Sequence, residues 1–159
     1  MQRSSASRLL AVAAVPEPLE KGARFPRAVW PSHVTIASNF FVDASPTDVV
    51  DAVRAVCLSA GPIAIRFEGM AWFGRDENIP VQLVDSAQIV ALHEQLADVL
   101  EALPLFEAEE PPYWRAGYRP HMTHVAGRDT PGGAELILRH VVIADVEGAD
   151  ATVLDGFSL

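Results

Sequence analysis

Pro31-Ser32-His33-Val34-Thr35-Ile36-Ala37 and Arg119-Pro120-His121-Met122-Thr123-His124-Val125 are the two stretches on which the reading of this chain turns. Each carries His-x-Thr inside an apolar, strand-like run. Side chains alternate between the faces of a strand, so His33 and Thr35 share one face while Val34 and Ile36 take the other. His121 and Thr123 stand in the same relation to Met122. Each motif thus sets an imidazole beside a hydroxyl on a polar face with an apolar face behind it. His124, an odd number of residues from His121, is expected on the opposite side, partly buried with a backbone partner. That geometry also argues against zinc, because His121 and His124 cannot easily converge on one ion and the motifs offer no third ligand.

Around the motifs the pattern is one of strands broken by two helices. Residues 8–15 read as a buried strand closed by Pro16 and Pro18, and 17–31 as a loop. The first motif strand runs from 32 to 42. Ser45 as N-cap, Pro46 in the first turn and Asp48 three residues on announce a helix. Its apolar residues Val49, Val50, Val53, Val56 and Cys57 keep helical spacing, and Gly61-Pro62 ends it. Ile63, Ile65 and Phe67 alternate, which predicts a strand over 62–73 bent at Gly69, followed by another over 79–84. Asp85 or Ser86 caps a second helix with Ile89, Leu92, Leu96, Val99, Leu100 and Leu103 on one stripe, ended by Pro104. A loop over 104–118 leads to the second motif. Residues 135–146 and 151–158 read as a hairpin around Glu147-Gly148-Ala149-Asp150. This order is not the regular alternation of a parallel sheet; it predicts an α+β fold of mainly antiparallel strands.

Composition narrows the function. The 159 residues, half of them hydrophobic, suffice for a single domain spanning 1–159. Against 12 basic residues stand 21 acidic ones, and the formal charge of −9 disfavours tight binding of long nucleic acid. A small nucleotide or an RNA terminus is still accommodated by a locally basic cleft. Lys21 is the only lysine and lies in a Pro/Gly-rich loop, so a ligase carrying adenylate on lysine is disfavoured. Cys57, the single cysteine, reads as a core residue in a reducing compartment. Arg3, Arg8 and the apolar run 9–15 faintly resemble a signal peptide, but a first core strand and a cytoplasmic protein are the expectation. No stretch approaches membrane-spanning length.

Histidine both donates and accepts protons near neutral pH, and two histidines flanking a phosphodiester divide that work. Threonine hydroxyls can donate to the non-bridging oxygens. Pro-Ser-His-Val-Thr-Ile and Gly-Tyr-Arg-Pro-His-Met-Thr resemble the paired signatures of the two-histidine (2H) phosphoesterases. That superfamily contains 2′-5′ RNA ligase-like proteins and 2′,3′-cyclic nucleotide phosphodiesterases. The strand Ile65-Arg66-Phe67-Glu68-Gly69-Met70-Ala71-Trp72-Phe73-Gly74 is similar to the family's strand between the motifs, and the likeness covers about residues 8–158. It implies two pseudo-twofold-related lobes with helices outside and both motifs at a central cleft. It also implies metal-independent catalysis without a cofactor, on 2′,3′-cyclic phosphates or 2′-5′-type linkages of small nucleotides or RNA ends.

Carried over, His33 and His121 become the acid–base pair, with His121 as base and His33 as acid in cyclic phosphate hydrolysis. Thr35 and Thr123 become the phosphate clamp. Tyr118 and Arg119 resemble family positions lining the cleft. Trp30, Tyr113, Trp114 and Tyr118 stand beside the motifs where aromatics stack on bases. Arg115 and Arg119 offer phosphate contacts. Glu107, Glu109 and Glu110 read as a solvated acidic run, and His93 and His140 as structural or surface residues. A monomer binding a small nucleotide is expected. The alternative is a non-catalytic nucleotide- or phosphate-binding module on the same fold, though binding alone does not require two proton carriers.

Overall fold

A computed structural model describes residues 7–27, 29–74, 76–124 and 130–159; Arg3 of the leader-like stretch and Val125 of the second motif run lie outside them. The strands are β1 (Arg8–Val15), β2 (Arg24–Pro26), β3 (His33–Val42), β4 (Ile63–Phe73), β5 (Ile79–Asp85), β6 (Glu107–Ala108), β7 (His121–Thr123), β8 (Glu135–Leu138), β9 (His140–Glu147) and β10 (Asp150–Ser158). Helix α1 (Pro46–Ala60) follows β3, and α2 (Ala87–Leu100) follows β5. Both helices start as their caps require. Ser45 Oγ accepts from the Asp48 amide, and Ser86 Oγ accepts from the Ile89 amide. Gly61 ends α1 with φ 72, a left-handed conformation that glycine adopts at little cost. Helix α2 stops at Leu100, short of the expected Pro104, because its last turn loosens before Leu103.

All strands join one sheet in the order β2-β10-β9-β1-β3-β7-β5-β4-β8, with β6 added beside β3, and every pairing is antiparallel. The two lobes are therefore halves of a continuous sheet. In one, β3 is flanked by β1, β9 and β10; in the other, β7 is flanked by β5, β4 and β8. Between them His33 lies opposite Thr123 and Val34 opposite Met122. Continued by one residue, the register sets Thr35 opposite His121. A pseudo-twofold axis thus passes between Val34 and Met122, and each motif's histidine faces the other's threonine.

One face of the sheet carries the main core. Val34, Ile36, Phe40, Met122, Ile63, Ile65 and Phe67 pack there with Val49, Val53 and Cys57 of α1 and Ile89, Leu92 and Leu96 of α2. Fully burying such side chains contributes about 1.5–3 kcal/mol each before the entropy of ordering is subtracted. Burial pushes the Cys57 thiol up to about 12, so it behaves as an inert core group. On the opposite face of the first half, Leu19, Ala23, Phe25 and Trp30 cover a smaller cluster of Ala13, Val15, Val142 and Val153. The segment that reads as loop 17–31 is accordingly a packed cover, and its three-residue strand β2 pairs with β10.

The expected strand over 135–146 is two strands. Leu138 ends β8 on β4, and after the single residue Arg139, His140 begins β9 on β1, in the other half. These strands stand six places apart in the sheet order, so the sheet is rolled at this end to bring them together. Apolar residues stand on both sides of Arg139-His140, so the stretch reads as one strand and hides the crossover. The bend in β4 does fall where Gly69 suggests: the β4–β5 register shifts between Phe67 and Met70. Among the described residues, no helix is long and apolar enough to cross a membrane.

Candidate active site

The four motif residues share the sheet face away from the helices, as the alternation requires. His33 is 8% exposed, while Thr35, His121 and Thr123 are half-buried. Both histidines are held in the same way. The Nδ1–H of His33 donates to the Pro31 carbonyl at 2.7 Å, and that of His121 to the Arg119 carbonyl at 2.8 Å. In each motif the acceptor lies two residues back, so the local turn before the strand fixes ring and tautomer together. Each ring keeps Nε2 for chemistry.

Burial depresses both imidazoles. His33 is lowered to about 4, chiefly by desolvation and further by the nearby His121, against the opposing hydrogen bond to Pro31. His121 is lowered by desolvation and by Arg119, its bond to the Arg119 carbonyl opposing. Near neutral pH the free protein therefore holds two neutral imidazoles. An anionic phosphate placed between them favours the imidazolium form and raises both.

An aromatic ring leans on each histidine. Trp30 lies 4.7 Å from His33 and Phe73 lies 4.4 Å from His121, centroid to centroid. A cavity of about 270 Å³ opens beside the Thr35–His121 pair, with Phe73, Ile79, Tyr113, Tyr118 and Arg119 among its walls. The Phe73 and Tyr113 rings are near parallel at 6.1 Å, and the Arg119 guanidinium sits 5.0 Å over Phe73. Phe73 reaches this face because the β4 bulge resets the alternation beyond Gly69. Sequence pattern places Phe73 in the strand between the motifs but does not mark it as a site residue; only the bulge, which needs the pairing register, reveals its direction.

Tyr118 both lines the cavity and braces its floor. Its hydroxyl donates to the Thr35 carbonyl at 2.7 Å, and its ring lies flat on His93 at 4.1 Å. His93, fully buried in α2, donates from Nδ1 to the Ile36 carbonyl and accepts the Arg115 amide at Nε2. The two carbonyls flank the irregularity at which β3 shifts register on β1, where ladder bonds are interrupted.

Other expected contacts fall elsewhere. Arg115 does not reach the cleft: its guanidinium bonds Glu94, Asp98 and Glu101 along α2, which raise its pKa further above the usual arginine range. It holds φ 59, a strained value kept in place by these bonds and by His93. Trp114 is not a stacking platform either. It is 7% exposed and packs edge-on against Phe40 and Phe106 in the core. Trp30 is on the cleft face but belongs to the cover over His33. His124 lies on the helix side as expected, and Gln82 is one of its partners. Its Nε2–H donates to Gln82 Oε1 at 2.7 Å, and its ring stacks on Phe67.

Of the acidic run, Glu107 and Glu110 are exposed as expected, while Glu109 is half-buried. Glu109 accepts from Arg27 and Asn39, tying the loop before the second motif to the cover before the first. Glu110 lines the cavity. Among the described residues no three His, Cys, Asp or Glu side chains are grouped as metal ligands.

Solved structures share this architecture. One from Thermus thermophilus, TT0787, aligns with TM-score 0.57 and 19% identity over 95% of this chain and 97% of that one. LigT from E. coli complexed with 3′-AMP aligns with TM-score 0.53 and 14% identity over 96% and 98%. A structure described as a phosphoesterase gives the same values. Such identities speak for the fold alone. No curated protein sequence matches. The family model of the 2′-5′ RNA ligase superfamily matches residues 10–153, nearly the whole sheet and both motifs. With that span matched, the chain belongs to the 2′-5′ RNA ligase superfamily.

Proposed function

We propose that the protein is a metal-independent phosphodiesterase acting on 2′,3′-cyclic phosphates or 2′-5′-type linkages of small nucleotides or RNA ends. The observation that carries this reading is the β3–β7 register, which brings two tautomer-fixed imidazoles and two threonine hydroxyls onto one face. A phosphodiester seated there meets Nε2 of His33 on one side and Nε2 of His121 on the other. One histidine accepts the proton of the attacking water, and the other gives a proton to the departing sugar oxygen. Thr35 and Thr123 donate to the non-bridging oxygens, whose charge they stabilise as the bond to the leaving group breaks. The proton needed by the acid is taken up from solvent on binding, since the bound anion raises the imidazole pKa from its depressed state while the other histidine stays neutral as base. Which histidine plays which part follows from the orientation of the substrate, and reversal of the reaction exchanges them.

The cavity beside Thr35 and His121 is of a size for one nucleoside. The 3′-AMP bound by E. coli LigT, a protein of the same fold, is a ligand of that size. With the overall negative charge, this supports a mononucleotide or a terminus over a long strand.

The test is hydrolysis of nucleoside 2′,3′-cyclic monophosphates and a 2′-5′-linked dinucleotide in EDTA. Activity is expected to persist with chelator, and His33→Ala or His121→Ala is expected to lower kcat at least ~100-fold. Full activity in either variant overturns the mechanism. Loss of activity on chelation would assign the chemistry to a metal.

A further inference from the structure

We propose that the cavity selects guanine, through Glu110 and Ser38, when the phosphate lies between the two histidines. The inference rests on the phosphodiesterase reading for the placement of the phosphate. It rests on the cavity's own walls for the base.

The cavity is chemically uneven. Thr35, His121 and Arg119 mark the phosphate end. Asn39 is four residues further along β3 than Thr35, roughly 13 Å at strand rise, and Glu110 is held at that end. The Glu109 amide donates to the Asn39 carbonyl at 2.9 Å, so the residue before Glu110 is fixed to β3. The residues after it turn at once: the Tyr113 amide donates to the Glu110 carbonyl at 3.0 Å, closing Pro111–Tyr113 into a 3-10 turn. Gly117 presses on this turn, and a Cβ there would meet the Pro112 carbonyl oxygen at 1.8 Å. The Glu110 backbone therefore sits on a rigid support, and its exposed side chain stands where the cavity meets solvent.

A carboxylate at the far end repels a second phosphate and accepts from N–H donors. Phe73 and Tyr113 offer flat walls between the two ends. The hydroxyl of Ser38, also in the cavity wall, is buried with no hydrogen-bond partner among the described residues. A buried hydroxyl without a partner is costly, and a ligand acceptor would satisfy it. Guanine presents this complement on one edge: adjacent N1–H and N2–H donors for the two carboxylate oxygens, and O6 for the serine hydroxyl. Adenine offers only one amino group to Glu110. Uracil opposes the carboxylate with carbonyl oxygens on both sides of its single N–H.

The experiment compares kcat/KM for the guanosine, adenosine, cytidine and uridine 2′,3′-cyclic monophosphates. It pairs these with calorimetric binding of guanosine and uridine 2′-monophosphates to the wild type, Glu110→Gln and Glu110→Ala. Guanosine is expected to be preferred about tenfold over uridine, within the discrimination of one good bidentate pair. Both variants should collapse the guanosine-to-uridine ratio towards one, and Ser38→Ala should reduce it by a smaller factor. Equal hydrolysis of all four substrates, or a ratio unchanged in Glu110→Ala, overturns the base assignment and leaves the catalytic reading standing. Preferential guanosine binding without hydrolysis does the reverse. Neither binding nor hydrolysis sinks both.

Discussion

On the β3 side of the cleft, His33 is 8% exposed, Trp30 leans across its ring, and Phe25 packs edge-on behind the tryptophan. On the β7 side, His121 is half-buried, Phe73 leans on it, and a cavity of about 270 Å³ opens beside it. The backbone is the same in both places: histidine bonded to the carbonyl two residues back, hydroxyl two residues on, and a partner strand in symmetric register. The difference lies in what covers each motif. The first is sealed by 17–31, whereas the second is edged by the β4–β5 ribbon and the loop before β7. On the proposed function, reaction chemistry is the work of strand pairing, which the pseudo-twofold repeats, and selectivity that of the covers, which it does not.

The largest effect expected of this comparison is catalytic equality of the two sides despite unequal burial. His33→Ala and His121→Ala should each lower kcat at least ~100-fold, and the double variant should be little worse than either alone. A double variant slower by the product of the single effects would show that the histidines do not act as a unit. Next comes pH. A histidine whose folded pKa lies below its unfolded value binds fewer protons when folded, so stability falls as pH drops through the interval. For His33 the window runs from 6.5 down to about 4, and the associated loss is about 3 kcal/mol. His93 and His121 shift in the same direction. Denaturant unfolding at pH 7 and pH 4.5 should show the loss, and His33→Asn should remove part of it.

A smaller contrast concerns the covers themselves. Trp30→Ala admits water to His33 and should move its pKa back towards 6.5, shifting upward whichever limb of the kcat/KM profile His33 sets. Phe73→Ala should act mainly on KM, by several-fold. If both substitutions change the same parameter, the division between sealed and open sides fails. Tyr118→Phe removes the bond to the Thr35 carbonyl and should cost about 1 kcal/mol of stability, measurable in urea. The smallest effect is expected of Arg115→Met. Its carboxylate partners lie along α2, so KM should stay within about twofold, and a larger rise would return Arg115 to the substrate.

The legible parts of the sequence were those set by neighbours along the chain. Strand alternation placed His33, Thr35, His121 and Thr123 on one face. Ser45, Ser86 and Gly61 marked helix ends through bonds made within a turn. The bend near Gly69 was legible for the same reason, but not its result, because only the β5 pairing shows that Phe73 faces the cleft. Arg115 and Trp114 were misplaced for lack of long-range information. One meets carboxylates from 14 to 21 residues away, and the other meets Phe40 across the sheet. The division of 135–146 was missed because two polar residues, Arg139 and His140, are a break that a single strand also tolerates, although Arg139 separates opposite halves of the fold.

That one-residue crossover also bears on how the molecule comes into being. Strand β1 pairs with β9, Leu10 opposite Asp145, so its outer neighbour leaves the ribosome long after β1 itself. Until then β1 can pair only with β3, and its other edge is an open template for a foreign strand. The contact closes a loop of most of the chain and slows folding accordingly. A nascent chain that has emerged only as far as Arg139 would display both His-x-Thr motifs on a half-built sheet. Such a chain should be a client for chaperones, however complete its two motifs.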